Sequence, residues 1–118
     1  MSELKWVEQL SLIKVASSAL DGILEKLLEK GSCSEKDFET TCRNVTRIIN
    51  SCSKLEKDKD CPPDKKTLAN GIKQIAGTLL STLDGLTAMS TQEYVNKLKD
   101  IEYLKTKLAK ETEPIEIE

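Results

Sequence analysis

Apolar residues recur along the chain at the three- and four-residue spacing of an amphipathic helix, in four segments separated by short polar breaks. The stripe of the first segment consists of Trp6, Leu10, Ile13, Leu20, Leu24 and Leu27. Five more apolar positions widen it: Leu12, Val15, Ala19, Ile23 and Leu28. This pattern predicts a helix that faces a core. Ser2 is a candidate cap at its start, and Gly31 is expected to end it.

The second and third segments have equally regular stripes. Ser34 is expected to cap the second helix, with Asp37 three residues on, and the helix is expected to end in the charged run 56–60. Its stripe consists of Phe38, Cys42, Val45, Ile49, Cys52 and Leu55. The third helix is expected to start near Asp64, which can cap it after two prolines. Its stripe consists of Leu68, Ile72, Ile75, Leu79, Leu83 and Leu86.

A fourth helix is predicted from the capping-box pattern Ser90–Glu93 onward. It presents Tyr94, Leu98, Ile101, Leu104 or Lys105, and Leu108. Helices of this length joined by short connections must fold back on one another. The sequence therefore predicts an all-α, antiparallel up-down-up-down four-helix bundle over residues 1–110, followed by an acidic, frayed tail at 111–118. The alternative is a three-helix bundle with the fourth helix packed across it or exchanged with another chain.

Composition narrows the range of functions. The chain has 118 residues, a net charge of -2 and no histidine. The usual general base and the usual neutral zinc ligand are therefore absent, and we expect no enzymatic activity, no cofactor and no metal site. Aromatic residues make up only 3% of the chain, and its charge is not basic, so nucleic acid is not an expected partner.

No run of 18 apolar residues is present, which predicts no transmembrane segment. The first residues do not resemble a signal peptide either, so the expected location is cytoplasmic. The alternative is a secreted protein whose mature chain begins after Met1.

The four cysteines are spaced nine or ten residues apart and include no C-x-x-C pair. Cys42 and Cys52 share one predicted helix, which holds them too far apart for a disulfide, so free thiols are expected. Both are expected to serve as small core residues, whereas Cys61 is expected to be exposed. Cys33, near a helix N-terminus, is a weak candidate for a reactive thiol.

Four glycines lie within predicted helices, where each costs helix propensity. They are Gly22, Gly71, Gly77 and Gly85. Close packing between helices is one explanation, and the other is a slot for an apolar ligand or a docking groove for a partner helix.

These observations favour a non-enzymatic protein–protein interaction module, an adaptor or scaffold, that holds a protein partner on one exposed helix face or in the groove between the third and fourth helices. Lys97 and Lys105 of the fourth helix are the candidate partner-facing residues. The alternative is a carrier that binds an apolar, lipid-like ligand within the bundle. Thiol chemistry at Cys33 is a third hypothesis, and the lack of a base partner argues against it.

Overall fold

Four helices account for nearly all of the described chain, which in the computed structural model comprises residues 5–31, 34–84 and 91–115. The helices are α1 (Lys5–Lys30), α2 (Glu35–Lys57), α3 (Pro63–Leu83) and α4 (Thr91–Thr112). Each helix packs against the next, and α4 also packs against α1. The predicted four-helix bundle is thereby confirmed, with the fourth helix alongside its own chain's α1 and α3 rather than across an end of the bundle.

The helix ends follow local chemistry. Gly31 adopts a φ of 66°, and its N–H donates to the Leu27 carbonyl at 2.9 Å, which ends α1 as predicted. The Ser34 hydroxyl accepts from the Asp37 N–H at 3.1 Å, the predicted cap of α2. The Asp64 cap is wrong, because α3 begins one residue earlier, at Pro63. Proline suits a first helical position, where its missing N–H would have no partner in the helix. The predicted caps Ser2 and Ser90 lie outside the described residues.

The core is almost entirely aliphatic and draws on all four helices. Its largest fully buried side chains are Ile13, Leu20, Leu24, Ile48, Leu55, Ile72, Leu79, Leu83 and Ile101. On α2 the buried face runs through Ile48 rather than Ile49, which is only half-buried. Leu12, Val15 and Ala19 of α1 are exposed, so their predicted place in the core-facing stripe is wrong. The apolar part of α1 is thus wider than the face that the bundle covers.

The chain after residue 110 is attached to the bundle. α4 continues to Thr112, whose carbonyl accepts a hydrogen bond from Lys14 Nζ at 2.9 Å. Ile115, beyond the helix, is only 4% exposed and belongs to the core cluster. The boundary predicted after residue 110 therefore falls inside α4, and residues 111–115 are not a frayed tail, because Ile115 supplies apolar surface that the bundle buries.

Gly77 tests whether close packing between helices requires the glycines within them. A Cβ added there would meet no atom within 4 Å, so close packing does not require glycine at this position. We expect Gly77→Ala to raise the free energy of unfolding by about 0.5 to 1 kcal/mol, because alanine has the higher helix propensity. Gly31→Ala is the control and should destabilise the protein, because its φ is positive. A lower melting temperature for Gly77→Ala would show that the glycine has a packing role.

Candidate functional site

The described surface has a groove between α1 and α2, with a volume of about 410 Å³. Its α1 wall consists of Gln9, Leu12, Val15, Ala16 and Ala19. Its α2 wall consists of Asn44, Arg47, Asn50, Ser51 and Lys54. Gln9 and Ala19, at the two ends of the α1 wall, are ten residue steps apart, which corresponds to about 15 Å along the helix axis. The groove is therefore about as long as three turns of helix.

The α1 wall is apolar and open to solvent. Leu12 is 53% exposed and Val15 is 57% exposed, and Ala19 is exposed four residues further on. Spacings of three and four place these three residues on one side of α1. Single exposed apolar residues are common on protein surfaces, whereas a row of them in a groove is typical of a binding site.

The α2 wall is polar and positively charged. Arg47 and Lys54 are both exposed and lie seven residues apart, which is two helical turns or about 10.5 Å. Neither side chain forms a salt bridge within residues 5–31, 34–84 and 91–115. The groove thus has an apolar wall facing a wall with two cations, and both cations are available to a ligand.

Amide side chains line the groove on both walls, Gln9 on α1 and Asn44 and Asn50 on α2. Asn44 Nδ2 donates to the Thr40 carbonyl at 3.0 Å, which fixes this side chain on α2. Gln9 Oε1 is shielded from solvent and has no hydrogen-bond partner among the described residues.

The described thiols are not poised for chemistry. Cys42, Cys52 and Cys61 are all free, and burial raises the pKa of each. For Cys52 the pKa rises to about 12, mainly through burial and secondarily through the nearby Glu56 carboxylate. The expectation that Cys61 is exposed is wrong: it is 4% exposed and belongs to the core cluster, in a turn where its N–H donates to the Asp58 carbonyl. Cys33 lies outside the described residues.

Alkylation should reflect this burial. With iodoacetamide at pH 8 we expect Cys42, which is half-buried, to react before Cys52 and Cys61 in the folded protein, while those two stay protected until unfolding. Only the thiolate reacts, and a pKa near 12 leaves on the order of 10⁻⁴ of Cys52 ionised at pH 8. Peptide mass spectrometry measures the order of modification. Rapid native labelling of Cys52 would contradict the described packing.

The two candidate lysines of α4 lie away from the groove. Lys105 Nζ is 3.0 Å from Asp21 Oδ1, an ion pair that joins α4 to α1. Lys97 is half-buried on the same helix. Because Lys105 already has a carboxylate partner within the bundle, its replacement would disturb the α1–α4 contact as well as any partner. A role for these lysines in binding stays a prediction.

The three candidate glycines within the described chain, Gly22, Gly71 and Gly77, do not line the groove. Gly22 is exposed on α1, and a Cβ added there would meet nothing within 4 Å. A Cβ added at Gly71 would lie 3.9 Å from Glu111 Oε2, which is ordinary contact distance. Gly77 has open space, as described above, and Gly85 lies outside the described residues. A ligand slot at these glycines stays a prediction.

Comparison with known proteins finds no relative. No protein-family model matches the chain, and neither a curated protein nor a solved structure is significantly similar to it. Among the helices described, none is both long and apolar enough to cross a membrane. Within the same residues, no three Cys, Asp or Glu side chains are grouped as metal ligands.

Sequence reasoning missed the groove, although its signals were present. The apolar positions of α1 cover more of the helix surface than one core-facing stripe requires. On α2, the segment 40–55 contains Arg43, Arg47 and Lys54 and no acidic residue. The packing position of α2 decides which of the extra apolar residues of α1 remain exposed. Periodicity in the sequence does not predict that position.

Proposed function

We propose that this chain is a non-enzymatic protein–protein interaction module, an adaptor or scaffold, that receives a helix of its partner in the α1–α2 groove. The observation that carries the proposal is the exposed apolar row Leu12, Val15 and Ala19 facing Arg47 and Lys54. Docking of an amphipathic helix into a hydrophobic groove is a common form of protein recognition. The groove lining contains no thiol and no acidic side chain, which supports binding rather than catalysis.

A lipid carrier is the alternative function for an apolar groove. The geometry of this groove favours it less than a protein–protein interaction module. A carrier encloses the apolar part of its ligand, and ligand pockets bury most of the ligand surface. Here both Leu12 and Val15 are more than half exposed, so the groove would leave an acyl chain largely in water. A rigid partner helix needs only one face covered, which matches an open groove.

The experiment compares two paired variants in capture of partners from the natural source. Leu12→Lys with Val15→Lys changes the groove, and Val95→Lys with Tyr103→Lys is the matched control on α4. All four residues are exposed and apolar, and each pair adds the same charge. We expect the groove pair to lose a partner that the wild type and the control pair retain, with all three melting temperatures alike. Retention by the groove pair and loss by the control pair would contradict the proposal and favour the α4 face.

We also propose a reducing compartment, the cytoplasm, as the place where the module works. The support is chemical: Cys42 and Cys52 lie ten residues apart on one continuous helix, about 15 Å along its axis, and neither they nor Cys61 form a disulfide. Intact mass of the natural protein with and without reductant tests this. A mass lower by two or four hydrogens before reduction would favour secretion.

A further inference from the structure

The charged residues in the segments that form the groove walls are all positive. The segments 9–20 and 40–55, which contain both walls, have no aspartate and no glutamate. Their cations are Lys14, Arg43, Arg47 and Lys54. Lys14 is bound to the Thr112 carbonyl, whereas the three cations of α2 are exposed. The chain as a whole has a net charge of -2, so the groove has the opposite sign to the molecule.

The acidic residues of α2 lie outside this segment. Glu35, Asp37 and Glu39 are near its start, and Glu56 forms an ion pair with Lys73 of α3 at 3.3 Å. Among the described residues, neither Arg47 nor Lys54 forms an ion pair with any of these carboxylates. Cations of this kind beside an apolar surface attract a partner of complementary charge and disfavour partners of the same charge.

We propose that the occupant of the groove is an acidic amphipathic helix of a partner protein. This inference rests on the proposed function and names its partner chemistry. The partner's apolar face would cover Leu12, Val15 and Ala19, and carboxylates two turns apart would meet Arg47 and Lys54 about 10.5 Å apart. Three turns of the partner fill the groove.

Charge argues against a second copy of the chain as the occupant. Another α1–α2 face would bring the same acid-free segments, so cations would meet cations across a symmetric interface. Composition argues against a membrane surface, because the exposed residues of the apolar row include no Trp or Phe.

The test uses two synthetic helical peptides of 18 residues with the same leucine stripe. One has glutamates seven residues apart beside the stripe, and the other has lysines at those positions. Fluorescence anisotropy with the full chain measures both affinities at low salt. We expect the acidic peptide to bind at least tenfold more tightly than the basic peptide, and we expect added salt to reduce that preference.

Charge reversal in the groove provides the decisive comparison. Arg47→Glu with Lys54→Glu should reverse the preference, so that the basic peptide binds more tightly. The control is Lys99→Glu with Lys110→Glu, two exposed lysines of α4 with the same change of charge. It should leave the preference unchanged within about twofold. Circular dichroism of every variant checks that the bundle is intact.

Several results would overturn the inference: no binding of the acidic peptide up to about 1 mM, equal affinity for the two peptides, or a charge reversal without effect. The inference would also be overturned if the chain formed a dimer that Leu12→Lys dissociates. The same holds if phosphatidylglycerol vesicles bound the chain and displaced the acidic peptide. If the peptides bind equally and Leu12→Lys with Val15→Lys abolishes both, the groove remains a docking site and only the charge argument fails. If those groove substitutions change neither peptide binding nor capture of the natural partner, the proposed function fails too.

Discussion

Leu24→Ala is expected to lower the free energy of unfolding by about 2 to 5 kcal/mol, the range typical of a large side chain removed from a packed core. Leu24 lies on α1, is fully buried and belongs to the aliphatic cluster that joins the four helices. Alanine would leave a cavity that the surrounding helices fill only in part. Chemical denaturation monitored by circular dichroism measures the change, and the melting temperature should fall by roughly 10 °C or more.

Leu12→Ala is the matched control for this prediction. It makes the same chemical change on the same helix, but Leu12 is 53% exposed and lines the groove. We expect a change within about 0.5 kcal/mol, because little buried surface is lost. A loss at Leu12 comparable to that at Leu24 would mean that Leu12 serves the core, and the groove as described would not exist.

Ending the chain at Lys110 is expected to destabilise the bundle by about 2 to 4 kcal/mol. The truncation removes the buried Ile115 side chain, whose burial is worth about 1.5 to 3 kcal/mol. It also removes the Thr112 carbonyl that accepts from Lys14, a contact worth about 1 kcal/mol. Thermal and denaturant unfolding of the shortened chain against the full chain gives the difference.

Two single substitutions assign that loss to its cause. Ile115→Ala should reproduce a large part of it, whereas Glu113→Ala, at an exposed position in the same segment, should have almost no effect. A shortened chain as stable as the full one would contradict the observed packing of residues 111–115. It would instead agree with the frayed tail that the acidic composition suggested.

Local signals in the sequence were sufficient for most of the fold. The spacing of apolar residues predicted four helices, and the short connections predicted that they pack antiparallel. Gly31 and Ser34 marked helix ends because their effects are local: one allows a positive φ, and the other supplies a hydroxyl to a nearby N–H. Such contacts span a few residues and depend little on the rest of the chain.

The features that the sequence analysis missed depend on contacts between distant segments. Ile115 follows a proline in an acidic segment, and only its packing against the bundle shows that it is a core residue. Leu12 and Val15 are as apolar as the core residues beside them, and their exposure follows from the position of α2. No local pattern distinguishes Arg47 and Lys54 from ordinary surface charges, and their position opposite that apolar row follows from the packing of α2 on α1.

The measurement that tests the groove most directly is site-specific photocrosslinking with p-benzoylphenylalanine at position 12 and, separately, at position 103. Leu12 lies in the groove, and Tyr103 is a 64% exposed residue of α4 that serves as the control. In cells of the natural source, we expect position 12 to form a covalent adduct with a partner protein and position 103 to form none. An adduct at position 103 with none at position 12 would contradict the central claim.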